Sequence, residues 1–283
     1  MTARFVGRRK EMDLIRAKMV EGGLSVVNVS GPAGIGKTYL LHEACRIARR
    51  RGHPVALIDF DHSPGHALRL IQREIARALG EERFAGYLGL LQDLEKVERS
   101  GETAPVLYGR TQQELVACYN RLAAQERIVL AFDTCEWILG TETVPLLLDW
   151  LASLQNTLVL MAGRDNDEID ALLFQKFGQD AVTPLTLKPF QEKEVEEYTQ
   201  KIGRDRGIWQ RLGEDGFNKL LFLTGGRPLL VGLAVEWVER HVPLPKLLAE
   251  KSLVELRQDE ERFREQFAFE LVDGVRALAT PMD

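Results

Sequence analysis

The sequence predicts an α/β fold followed by a smaller, all-helical region. Five short apolar runs alternate with amphipathic helical patterns over residues 1–188. The first run breaks into a glycine-rich turn, GPAGIGKT (31–38), that opens directly into a helix. From Gln191 onward the alternation stops and only helical spacing remains. Strands separated by helical crossovers imply a parallel sheet. The expected organisation is an α/β domain over 1–188 and a helical domain over 189–283.

Residues 4–20 (RFVGRRKEMDLIRAKMV) begin with an extended piece, Phe5-Val6-Gly7-Arg8, and continue as a helix over Glu11–Met19 with apolar Met12, Ile15 and Met19. Such an arm lies about twenty residues upstream of the glycine turn. The expectation is that Phe5, Val6 and Gly7 approach a base, with Arg8 near phosphate or an adjacent subunit. The alternative is an N-terminal helix with a charged face.

Leu24 to Val29 reads as a buried strand because β-branched residues cluster in it. After it, G-x-x-x-x-G-K-[ST] stands between strand and helix, the context in which that pattern acts as a phosphate-binding loop. Pro32, Ala33, Gly34, Ile35 and Gly36 form the turn, where glycines let successive backbone N–H groups converge on phosphate oxygens. Lys37 is expected to reach the β- and γ-phosphates, and the Thr38 hydroxyl to ligate Mg²⁺. Tyr39 follows within reach of the same ligand. The helix N-terminus adds partial positive charge. ATP or ADP with Mg²⁺ is the expected ligand. No N-K-x-D occurs, which favours adenine over guanine.

PVALIDF (54–60) is the second strand, closed by Asp59 and Asp61; strand-end aspartates are more often turn formers than site residues. Ala67–Leu79 has helical spacing. Residues 80–108 are the least legible stretch, with helical periodicity only around Leu88–Val97. Thr111–Ala124 is again helical. RIVLAF (127–132) is the third strand and delivers Asp133 at its C-terminal end, the place of the acid that holds a nucleotide-bound Mg²⁺. Many such sites put a glutamate next, to orient the attacking water. Here Thr134 stands there, and the next acid is Glu136, the candidate base. On an extended chain Asp133 and Glu136 would face opposite ways, so a turn between them is required.

Pro145–Leu154 is helical, and TLVLMAG (157–163) is the fourth strand, ending at Arg164. An arginine beside the Asp133 strand suits a γ-phosphate sensor; the alternative is pairing with Asp165 or Asp167. VTPLTL (182–187) is the fifth strand. Helices are then expected over 192–202, 209–223, 228–239, 245–256 and 260–278. Between two of them, Thr224-Gly225-Gly226-Arg227-Pro228-Leu229 combines a glycine stop with a proline start. Pro228 and Leu229 are expected at the nucleotide.

Taken together, FVGRRKE, GPAGIGKT, IVLAFDTCEW, LVLMAGRD, TPLTLKPFQEKEVEEY and TGGRPLLVGLA resemble, in content and order, the STAND class (NACHT and NB-ARC-like) of AAA-related P-loop NTPases. The resemblance implies a five-stranded parallel sheet in the order 5-1-4-3-2, a helical lid, and an ATP/ADP switch that controls opening and self-association in signalling. One acid follows Asp133 where that class often has two, so the expected hydrolysis is slow. The chain ends at what resembles the entry to a winged helix, which predicts the core of a longer protein with a regulatory or sensor region elsewhere. The alternatives are an AAA-type loader or remodeller acting on DNA or protein, and a non-hydrolysing scaffold stabilised by its nucleotide.

Composition narrows the partners. The chain has 45% hydrophobic and 28% charged residues and a formal net charge of -5. That mild acidity makes nucleic acid an improbable partner in this reading. No run of about 18 apolar residues appears, so no membrane span is expected. Three cysteines without C-x-x-C spacing, and no leader-like segment, point to reduced thiols in a cytoplasmic protein.

Overall fold

The computed structural model describes residues 6–62, 67–164, 167–202, 207–239 and 245–279. Phe5, proposed at the base, lies outside them, as does Asp165. In chain order the elements are α1 (Arg9–Lys18), β1 (Ser25–Ser30), α2 (Lys37–Arg50), β2 (Val55–Asp59), α3 (Leu68–Gly80), α4 (Ala85–Arg99), α5 (Pro105–Ala123), β3 (Ile128–Asp133), α6 (Thr143–Ala152), β4 (Thr157–Ala162), α7 (Asp167–Phe177) and β5 (Val182–Thr186). They continue as α8 (Glu192–Ile202), α9 (Gly207–Thr224), α10 (Pro228–Glu239), α11 (Lys246–Glu250), α12 (Leu253–Leu256) and α13 (Glu260–Ala279). The five strands form one parallel sheet in the order β2-β3-β4-β1-β5, which is 5-1-4-3-2 read from the other edge.

Strand position follows from sequence. β1, β3 and β4 are buried at all six positions, as central strands covered on both faces must be. β5 alternates and carries Pro184, whose missing N–H is tolerated because the strand sits at the sheet edge. At the N-terminal ends of the strands Arg127 is buried, donating to the Lys18 and Gly23 carbonyls, to Ser25 Oγ and to Asn156 Oδ1. A buried charge is tolerated there because these acceptors replace its water.

The chain divides into two compact units: residues 9–32 with 37–186, and residues 1–8 with 33–36 and 187–283. The first contains the sheet and a core that includes Phe60, Phe84, Tyr87, Tyr119, Phe132 and Met161. Each large side chain so buried contributes about 2 kcal/mol. The second has its own core, built from Phe190, Val195, Leu220, Val231, Val235 and Phe267 among others. Three departures from the sequence reading stand out. The obscure stretch 80–108 holds α4 and the start of α5, and α7 occupies a stretch to which no element was assigned. The single helix expected over 245–256 is two short ones, the second started by a Ser252–Glu255 capping box.

Candidate nucleotide site

In the α/β unit, β1 delivers Gly31 and Pro32, and α2 begins at Lys37. The Lys37 ammonium donates to the carbonyls of Gly31 (2.7 Å) and Pro32 (3.1 Å). Thr38 is next along and exposed, and its hydroxyl is near enough to the Asp133 carboxylate to favour that group's ionised form. Tyr39 is also exposed. Two sequence-distant motifs therefore meet at one hydroxyl–carboxylate pair.

Asp133 is 3% exposed. Burial holds its carboxyl above the usual range; the Thr38 hydroxyl and the hydrogen bond from the Thr134 amide pull the other way, and nearby Asp59 adds to the rise. The Thr134 N–H donates to Asp133 Oδ1 at 2.9 Å. Thr134 itself is left-handed, with φ 58° and ψ 40°. For a β-branched residue this is a rare conformation, costing on the order of 1–3 kcal/mol. It starts a 3₁₀ turn, Cys135–Trp137, that carries Glu136. The turn required between the two acids is therefore present.

Glu136 faces the end of β4. Its Oε1 lies 3.4 Å from Arg164 Nε. Its Oε2 is buried without a hydrogen-bond partner among the described residues, and lies 3.5 Å from where a Cβ on Gly163 would stand. Arg164 is largely exposed.

Asp59, expected from sequence as a strand-end turn former, has more partners than a turn requires. Its Oδ1 accepts from the Thr134 hydroxyl (2.9 Å) and the Asp61 N–H (3.1 Å), and its Oδ2 pairs with His62 Nδ1 (2.8 Å). Burial works against ionisation here, but these hydrogen bonds outweigh it and hold the carboxyl below its ordinary range. The signal available in sequence was its place at the C-terminal end of a strand, which the sheet register sets opposite Asp133.

In the second unit, residues 33–36 are gripped from two sides. The Leu229 N–H donates to the Gly34 carbonyl at 3.2 Å, and Pro228 stands near Gly36. Gly34 has φ 73°, and a Cβ there would come within 3.1 Å of the Leu229 side chain, so no other residue fits without displacement. From the other side, Arg8 Nη2 donates to the Ile35 carbonyl at 2.9 Å. The Arg8 amide donates to Glu194 Oε1 at 3.1 Å. Val6 is buried, and Gly7 lies against Phe190 and Glu194. Pro32 and Ala33 are exposed at the turn. Phe190 and Glu194 lie inside the TPLTLKPFQEKEVEEY stretch of the resemblance, but nothing in that stretch marks either one as a partner of the phosphate loop.

Mg²⁺ asks for few protein ligands, keeping waters and substrate phosphates for the rest. A hydroxyl and one carboxylate, Thr38 and Asp133, fit that demand. Among the described residues no group of three or more His, Cys, Asp or Glu could form a dedicated metal cage. Nor is any helix among them long and apolar enough to cross a membrane.

An AAA ATPase domain family matches residues 4–161, more than half of the chain, from the N-terminal arm through the phosphate loop and the Asp133 strand and into the fourth strand. The chain belongs to the AAA ATPase domain family. It is therefore an AAA-related P-loop protein, the broader part of the STAND resemblance. No curated protein matches it. Among solved structures, the Aeropyrum pernix ORC1 protein in complex with DNA is similar at 16% identity and TM-score 0.55, over 90% of this chain and 67% of that one. Drosophila ORC bound to DNA is similar at 14% identity and TM-score 0.52, over 97% and 69%. Cdc6p of Pyrobaculum aerophilum gives 14% identity and TM-score 0.51, over 85% and 64%. At these identities the likeness is one of fold. It does correct the expectation that nucleic acid is an improbable partner, because two structures sharing the fold hold DNA. The physical reason is that a net charge of -5 sums over the whole chain and carries no information about any one face.

Proposed function

We propose that this AAA ATPase domain hydrolyses ATP with Mg²⁺ and works on or with DNA. The observation that carries the ATPase half is the nearness of the Thr38 hydroxyl, on the helix after the phosphate loop, to the Asp133 carboxylate at the end of β3, with the Lys37 ammonium on the Gly31 carbonyl beside them. The loop N–H groups and Lys37 would bind the phosphates, and Thr38 and Asp133 would hold Mg²⁺, which neutralises charge on the β- and γ-oxygens when bound. Glu136 would take the proton from the attacking water. Arg164 would pair with the γ-phosphate, exchanging its Glu136 partner for it. Val6, Gly7, Arg8, Pro228 and Leu229 are further proposed nucleotide contacts, and the proposed domain boundary lies near residue 188.

The DNA half draws its support from the DNA-bound proteins that share the fold. The test is ATP turnover and DNA binding measured together, with duplex DNA titrated at low and high salt. Nucleotide-dependent binding that weakens steeply with salt is the expected result. No binding at low salt, with turnover indifferent to DNA, would remove DNA from the reading.

A slow ATP/ADP switch is the second reading. Its support is Thr134, which stands where many ATPases place the glutamate that orients water, and leaves that task to Glu136 in a strained turn. Single-turnover and steady-state rates separate the two readings: a switch holds ADP for many minutes, a cycling enzyme releases it.

A further inference from the structure

From the geometry we infer that Asp59 is a positioning residue for hydrolysis, acting through Thr134 to aim the Glu136 carboxylate. The inference rests on the ATPase reading and assigns that site a residue outside its phosphate, metal and base groups.

Thr134 is held in its left-handed conformation by bonds on three sides. Its hydroxyl donates to Asp59 Oδ1 at 2.9 Å, its amide donates to Asp133 Oδ1 at 2.9 Å, and its carbonyl accepts from the Trp137 N–H at 3.1 Å. Strain of this kind persists only where the surroundings over-determine it. Asp59 is the only one of these partners supplied by a different strand. The neighbouring register sets Asp59 opposite Asp133, and the Phe60 N–H donates to the Asp133 carbonyl at 3.2 Å, so β2 fixes where the Asp59 carboxylate stands. Asp59 is in turn braced by the Asp61 amide and by His62.

The consequence falls on Glu136. Were the chain to continue extended past Asp133, the two acids would diverge to opposite faces. The left-handed step at Thr134 instead opens the Cys135–Trp137 turn, which returns Glu136 to the end of β4 beside Gly163 and Arg164. Removing the Asp59 acceptor leaves Thr134 free to relax to an ordinary conformation, and the carboxylate two residues on moves with it. A displacement of about 1 Å at a catalytic group is enough to cost on the order of a hundredfold in rate.

The experiment compares wild type, Asp59→Ala, Thr134→Val and Thr134→Ser for ATP affinity, steady-state turnover and amide hydrogen exchange over residues 134–138. Asp59→Ala and Thr134→Val are expected to lose at least about tenfold in kcat, with ATP Kd unchanged within about twofold, and to exchange faster in the turn. Thr134→Ser keeps the hydroxyl and should retain most of the turnover, which a merely structural role for the methyl-bearing side chain would not predict. Unchanged kcat in both Asp59→Ala and Thr134→Val overturns the inference, as does an equal loss in Thr134→Ser. If wild type binds ATP but never turns it over, the ATPase reading fails separately. Exchange then decides the remaining claim: faster exchange in Asp59→Ala upholds its hold on the turn, and unchanged exchange overturns it.

Discussion

The guanidinium of Arg8 donates to the main-chain carbonyl of Ile35 at 2.9 Å and lies over the Phe190 ring at 5.0 Å. Arg8 is 4% exposed, so this charge works inside the protein rather than at its surface. One planar group thus links the phosphate loop to the segment following β5. Arginine suits the task because it can donate along its edge while stacking on its face, which an ammonium cannot.

Arg8→Ala should therefore loosen residues 33–36. Losing a hydrogen bond from a charged group costs about 1.5–3 kcal/mol, and chemical denaturation should read a loss of that order. ATP affinity should fall with it, and Arg8→Lys should recover only part of either. Wild-type affinity in Arg8→Ala, measured by calorimetric titration, would show that the arm does not set the loop.

Lys37→Ala removes the phosphate-loop lysine expected to reach the β- and γ-phosphates and should abolish measurable ATP binding. Asp133→Asn keeps a similar shape but loses the anion, so binding should survive while Mg²⁺-dependent turnover disappears. Equilibrium binding with and without Mg²⁺, alongside phosphate release, separates the two variants. Turnover in Asp133→Asn equal to wild type would refute its metal role.

Gly226 is a sharper test of packing than of chemistry. Its φ is 67°, and an added Cβ would stand 2.2 Å from the Phe190 carbonyl oxygen. The Phe190 N–H also donates to the Gly226 carbonyl at 2.8 Å, so the two backbones cannot separate without losing that bond. Gly226→Ala should lower the melting temperature sharply or prevent soluble expression. Gly225→Ala, whose nearest neighbour is the Arg264 side chain at 3.4 Å, has strain but room and should cost less. Equal melting temperatures for the two would contradict the packing.

These contacts show what the sequence made legible. The loop, the Asp133 strand and the Gly225-Gly226-Arg227-Pro228 junction could be read because each needs particular residue types at fixed spacing. α4 and α7 were obscure for a different reason. α4 holds Gly86 and Gly89 in its first turns, poor helix formers that weaken the periodic signal, and α7 is short and only weakly amphipathic. Asp59 is ambiguous in sequence because its role depends on strand register, which places it beside Asp133, 74 positions further along the chain. Glu194 and Phe190 serve the loop through Arg8, and nothing local in the chain marks a residue that acts on another unitary motif so far away.

The cysteines allow an independent check on the core. Burial pushes the Cys45 thiol up to about 11, and it raises Cys118 and Cys135 as well. A raised thiol pKa leaves little thiolate, the reactive form, at pH 8. The native protein should therefore be nearly silent to a thiol-exchange chromogen at that pH, and three equivalents should react on denaturation. A fast-reacting equivalent in the native state would mean that one of these cores opens readily.

The Glu136–Arg164 pair carries the last prediction. The two groups touch through Oε1 and Nε at 3.4 Å, while Oε2 is buried and without a hydrogen-bond partner among the described residues. A buried carboxylate oxygen left without a donor is costly, and it is tolerable in an enzyme if a water or substrate oxygen completes it during the reaction. Glu136→Gln keeps size and hydrogen-bonding capacity but cannot accept the proton. It should lower turnover by about 10²–10⁴-fold, the range expected for a general base, while ATP affinity stays near wild type. Arg164→Ala removes the partner and not the base, so its loss should be smaller in kcat and should include weaker discrimination between ATP and ADP. Rapid-quench turnover with paired ATP and ADP titrations reads both. If Glu136→Gln hydrolyses at the wild-type rate, the base lies elsewhere and Glu136 serves only to hold Arg164.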